Sequence, residues 1–135
     1  LTNVIHDLLP FAKFAPVTFL SAKTHRRLGS LLPVVDRVAE NLQRRIPTAR
    51  LNTTIRSAVL AHPAAIGGGR LLKIFYSSQP GVSPPLFVFV CNDPESVPSH
   101  YKRFLENVLR QEFDFEGVPL TLEFRPRRSG EGDDE

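Results

Sequence analysis

The sequence predicts an α+β chain in two parts. A strand–turn–helix unit, of the kind that closes a parallel α/β sheet, precedes a compact domain ordered helix, strand, strand, helix, strand. Three observations carry this. Leu51, Ile55 and Val59 recur at helical spacing, as do Val97, Tyr101, Phe104, Leu105, Val108 and Leu109, so each set lines one helix face. Residues 71–78, 86–91 and 120–125 are rich in strand formers bounded by Gly, Pro, Asn and Asp. Pro47 disfavours helical geometry at Ile46 and divides the two parts, giving domains at 1–46 and 47–128.

Taken in order, residues 1–10 read as the end of a helix stopped by Pro10. Ala15 to Leu20 is short and apolar, consistent with a buried strand. Thr24 to Gly29 is a polar turn, and Ser30 stands where a helix N-cap is expected. Pro33 falls in the first turn of that helix, where a missing N–H does no harm. Leu31, Val35, Val38, Leu42 and Ile46 make its apolar face. Thr48 is placed to cap the next helix, whose face runs Leu51, Ile55, Val59 and His62 until Pro63 stops it. Ala64 to Gly69 reads as a flexible loop. Alternation then puts Leu72, Ile74 and Tyr76 on one strand face and Leu71, Lys73 and Phe75 on the other. Gln79 to Pro85 is a turn-rich connection. Leu86 to Cys91 is apolar on both faces, as a central strand should be, and Asn92-Asp93-Pro94 ends it. After the second helix, Leu120, Leu122 and Phe124 alternate with Thr121, Glu123 and Arg125, a half-exposed strand. Helices on one face of a small sheet follow from this order. Residues 129–135 hold no apolar residue and read as a disordered acidic tail.

Hydrophobic residues make up 41% of the 135, enough for a core. The chain starts at Leu1 and has no Met, which reads as the C-terminal piece of a longer protein. No apolar run approaches the roughly 18 residues that span a bilayer, so no membrane partner is expected. The single cysteine, Cys91, fits a reducing compartment and reads as a buried strand residue rather than a nucleophile. The net charge of +3 is uneven: residues 1–50 stand at +5, 51–128 at +2 and 129–135 at −4. A folded part so basic favours a polyanionic partner, with simple solubility as the competing explanation.

The motifs are informative partly by what they lack. Ser21-Ala22-Lys23 follows the apolar segment. In GTP-binding proteins of the P-loop class this tripeptide closes over guanine, and loop N–H groups there can bond guanine O6, which adenine lacks. The residues preceding Ser21 contain no glycine, and neither G-x-x-x-x-G-K-[ST] nor N-K-x-D occurs in the chain. Phosphate binding and GTP hydrolysis are therefore not expected of this chain alone. Gly67-Gly68-Gly69-Arg70 follows a helix and precedes a strand, the reverse of a phosphate loop, and is not a G-x-x-G clamp. The four histidines are scattered, so no metal site is expected. Arginines form two groups, around the linker and at Arg125, Arg127 and Arg128. Arg44, Arg45, Arg50, Arg70, Arg125, Arg127 and Arg128 are the candidate contacts to an RNA backbone. Solvated or interdomain ion-pairing arginines are the competing reading.

A resemblance adds to this. The segments Phe19-Leu-Ser-Ala-Lys-Thr, Arg45-Ile-Pro-Thr-Ala-Arg-Leu-Asn, Leu72-Lys-Ile-Phe-Tyr, Pro84-Pro-Leu-Phe-Val-Phe-Val-Cys-Asn-Asp-Pro, Tyr101-Lys-Arg-Phe-Leu-Glu-Asn and Phe115-Glu-Gly-Val-Pro-Leu occur in order. Together they resemble the C-terminal portion of the bacterial EngA (Der) GTPase family. The resemblance implies that 1–46 end a second P-loop GTPase domain, with its last strand and helix, and that 47–128 are a KH-like domain. It implies a parent that binds GTP or GDP with magnesium, hydrolyses GTP and acts in large-subunit ribosome assembly in the bacterial cytoplasm, or in a plastid. It carries guanine contact onto Ser21, Ala22 and Lys23. The implied partners are the large ribosomal subunit with its rRNA and the GTPase domains of the parent. A module that contacts protein and not RNA remains the alternative, because the KH clamp loop is missing.

Overall fold

The core forms where two helices lay their apolar faces on one side of a three-stranded sheet. The structure is a computed structural model and describes residues 1–128, so the expected acidic tail lies outside the described residues. Helix α1 is Thr2–Leu8, α2 Leu31–Leu42, α3 Thr48–Ala61 and α4 Ser99–Glu112. Strands β1 Ile74–Gly81, β2 Leu86–Cys91 and β3 Thr121–Pro126 form one sheet in the order β1-β2-β3. The order α3-β1-β2-α4-β3 is the one the periodicities predicted.

Strand β2 is central, antiparallel to β1 and parallel to β3. Its Phe87, Phe89 and Cys91 point inward and are fully buried, beside Leu51, Leu105 and Leu109. Burying each such side chain stabilises the fold by about 1.5–3 kcal/mol. Phe87 meets Phe115 edge-on at 5.7 Å, and Phe89 lies 5.2 Å from Phe124. Arg110 of α4 fastens the loop that follows its helix, donating to Phe115 O at 3.1 Å and Val118 O at 2.9 Å.

Strand β1 departs from its predicted pattern. Its ladder slips between Ile74, opposite Cys91, and Tyr76, opposite Val90. A bulge of this kind adds a residue to one strand and inverts the alternation beyond it. Tyr76, expected inside with Leu72 and Ile74, is instead exposed beside Phe75, while Ser77 and Gln79 turn inward. The strand also runs on to Gly81, shortening the expected connection. Its outer edge is covered by side chains. Asn52 of α3 accepts from Ser77 N–H at 2.8 Å and donates to Ser77 O at 2.9 Å, standing in for a neighbouring strand. Arg45 donates to Gln79 O at 3.0 Å.

Residues 1–46 differ more from expectation. The predicted strand at 15–20 does not form, because no neighbour among the described residues supplies a ladder; only Ser21 bridges to Arg26. Ser30 stands at the N-cap position of α2 as expected, but its side chain makes no capping bond: its backbone is already helical, and its hydroxyl donates to Arg27 O. Thr48 is likewise the first residue of α3, with extended Pro47 in the cap position. Along α2 the predicted apolar residues Leu31 and Val35 are 39% and 52% exposed, whereas Asn41 is buried. The helix therefore meets the second part through Val38 together with its polar neighbours Arg37 and Asn41.

That meeting is tight. Asn41 donates to Glu116 O at 3.0 Å and Arg44 to Asp114 O at 2.8 Å. Gly117, at φ +80°, donates to Phe14 O at 2.8 Å, and a Cβ there would lie 2.4 Å from a Val38 methyl. Across the linker, Gln79 accepts from Ile46 N–H at 2.7 Å and donates to Arg44 O at 2.8 Å.

Candidate nucleic-acid interface

The candidate residues fall into four separate environments. Ser21, Ala22 and Lys23 form the start of a turn. Ser21 N–H donates to Arg26 O at 3.1 Å, and Thr24 N–H donates to the Ser21 hydroxyl at 3.3 Å. Ala22 and Lys23 are exposed at its tip. The Ser21 and Thr24 N–H groups are thus both engaged within the turn itself. It has no nearby glycine loop for phosphates.

The linker arginines line a cleft of about 210 Å³ with Pro47, Glu112 and Asp114. Here the structure gives them fixed work. Arg44 holds Asp114 O and also the Asn41 side chain at 2.9 Å, and Arg45 holds β1. Arg50 lies 3.9 Å from Glu112 and over the Phe113 ring at 5.1 Å. Arg70 is elsewhere. Gly67, Gly68 and Gly69 all adopt positive φ, so the chain reverses tightly there, with Ile66 N–H on Arg70 O. The expected flexible loop is thus a hydrogen-bonded turn. Arg70 pairs with Asp93 at 3.0 Å. The Ser96 hydroxyl, then Arg70, hold the Asp93 carboxyl below the usual carboxylate range.

Arg125, Arg127 and Arg128 are brought together. They line an open depression of about 580 Å³ on the sheet face away from the helices, with Phe75, Tyr76 and Val90. Arg125 pairs with Glu123 at 2.6 Å, but both side chains are about half exposed, at 54% and 43%. Such a pair contributes about 0–1 kcal/mol. Arg127 lies over Phe75 at 4.9 Å. The two aromatic residues were missed as site candidates, since regular alternation put Tyr76 in the core.

Cys91 is buried, and burial raises its thiol pKa, the opposite of an activated nucleophile. Among the described residues no group of three His, Cys, Asp or Glu could hold a metal, and no helix is long and apolar enough to cross a membrane.

Residues 45–125 match the family model described as the C-terminal KH-domain-like region of EngA bacterial GTPase enzymes. The chain belongs to this family. It is similar to proteins named GTPase Der: 48% identical over 92% of its length to that of Geobacillus sp. (strain WCH70). It is 48% identical over 94% to that of Symbiobacterium thermophilum, and 42% over 94% to that of Listeria monocytogenes serotype 4a (strain HCC23). The chain spans 27–29% of the length of these relatives. The EngA match takes in α3 through most of β3, and with them Arg45, Arg50, Arg70 and Arg125. Arg44, Arg127, Arg128 and the Ser21–Lys23 turn lie outside it.

Proposed function

We propose that this chain serves as the C-terminal part of a GTPase acting in large-subunit ribosome assembly, in which the KH-like domain docks on ribosomal RNA. The similarity to proteins named GTPase Der supports the GTPase setting. In that setting GTP or GDP, with magnesium, is held by the parent protein, and this chain contributes Ser21, Ala22 and Lys23 to the guanine. The uncovered apolar face of α2 suits packing against the rest of such a domain. The setting implies a bacterial cytoplasmic protein.

The observation that carries RNA docking is the arginine-lined open sheet face. The linker arginines carry it less well, because Arg44 and Arg45 hold the two parts together. Charge reversal at Arg125 and Arg128 is the test, read as binding to large-subunit rRNA across a salt series. Affinity should fall steeply with ionic strength, with a slope near −0.7 per phosphate on single-stranded RNA, and the double variant should flatten that slope. Salt-independent binding, or a double variant that binds like the parent sequence, would sink the reading. A protein-docking module is the second reading, favoured by the missing clamp loop and by the arginines already engaged with backbone carbonyls. Under it, pre-ribosomal particles stripped of RNA would still capture the chain.

A further inference from the structure

The sheet face opposite the helices combines features that no structural role requires. The β1 bulge puts two consecutive aromatic residues on the solvent side, Phe75 at 43% and Tyr76 at 50% exposed. Val88 and Val90 make an apolar floor beside them. Helices α3 and α4 lie on the opposite face, with the core. Three arginines line the depression; among its described lining residues there is no carboxylate, though Glu123 pairs with Arg125. Flat aromatic surface next to arginine, where the Arg125–Glu123 pair is half exposed, suits a ligand that is both planar and polyanionic. Single-stranded nucleic acid has that chemistry: each base presents a π-face and each linkage a phosphate. An A-form duplex does not, because its bases are stacked away inside and it displays backbone and 2′-hydroxyls.

We propose that this face binds unpaired RNA, with a base stacked on Tyr76 and flanking phosphates on Arg125 and Arg128. The proposal rests on the RNA-docking reading and adds which RNA is taken and by what contact. Arg127 over the Phe75 ring steadies the second aromatic and keeps a guanidinium at the rim. Arg125 exchanges its exposed partner Glu123 for phosphate. The bulge is essential, since without it Tyr76 would face the core.

The protein supplies its own probe. It has two tyrosines, Tyr76 and Tyr101, and no tryptophan. Tyr101 is buried and donates to His62 O at 2.8 Å, out of reach of a ligand on the sheet. Stacking on Tyr76 should therefore quench tyrosine emission. The 135-residue chain would be titrated with a single-stranded oligouridylate of about 8 nucleotides and a hairpin duplex carrying as many phosphates. The single strand should bind at least about 10-fold more tightly and quench the emission. Tyr76→Ser should lower single-strand affinity by about 5- to 100-fold and leave duplex binding unchanged. Tyr76→Phe, which keeps the ring, should retain the affinity and lose the quenching. Equal affinity for both RNAs, with Tyr76→Ser neutral and Arg125→Glu still weakening binding, would overturn stacking while leaving RNA docking intact. Failure of both RNAs to bind would overturn both.

Discussion

Ser77 shows how far a single residue's fate depends on its neighbours. The bulge before it turns its hydroxyl into the core, where it is 1% exposed and its Oγ finds no hydrogen-bond partner among the described residues. A buried hydroxyl without a partner is destabilising, so removing it should help. Ser77→Ala is expected to raise stability by about 1 kcal/mol in equilibrium urea unfolding, since both backbone bonds to Asn52 survive the change. A loss of stability would show that the hydroxyl is satisfied after all. Other residues were read correctly for local reasons: Cys91 lies in a run apolar on both faces, and its burial follows. Ser30 holds the N-cap position of α2 without a side-chain bond and Thr48 was misread as a cap, because residue type marks where a helix can begin, not which backbone conformation the preceding turn imposes. Each sits within a residue of the helix start, yet neither side chain caps it.

At the scale of elements, α3, β2 and α4 were legible because their apolar spacing is long and unbroken. Strand β1 was half legible. Leu72, just ahead of the strand, and its own Ile74 follow alternation, but the pattern inverts at the bulge, and residue order alone does not announce a bulge. Gln79 then faces inward and ties the linker, a role that a polar residue in a turn-rich segment did not suggest. The edge of β1 is closed by Asn52, whose side chain makes the two bonds a further strand would make. Asn52→Ala should cost about 1–3 kcal/mol by leaving the Ser77 amide and carbonyl unpaired at a partly buried edge. Urea denaturation measures this directly, and a change under about 0.5 kcal/mol would mean that water replaces the side chain without loss.

For the whole molecule, the decisive feature is the seam between residues 1–46 and the KH-like domain. Only Asn41 and Ile46 are buried in the first part. That part has no sheet of its own here, and hydrogen bonds more than apolar packing hold it. Gly117 is the closest point. Gly117→Ala would combine a left-handed backbone with a Cβ 2.4 Å from Val38, and it should destabilise the chain by about 2–4 kcal/mol. The damage should centre on the seam, so limited proteolysis should cleave within residues 10–44 well before the KH-like domain; uniform cleavage along the chain would contradict a local seam. What the sequence determined by itself was the order of elements from α3 to β3 and the family. Those depend on spacing and on ordered segments that any stretch of chain displays locally. The tertiary structure alone decided which arginines hold the fold and which face outward. Arg44 meets Asp114 across 70 positions and Arg45 meets Gln79 across 34, while Arg125, Arg127 and Arg128 share a sheet face with Tyr76. Such partnerships join residues far apart in the chain, and no local pattern records them.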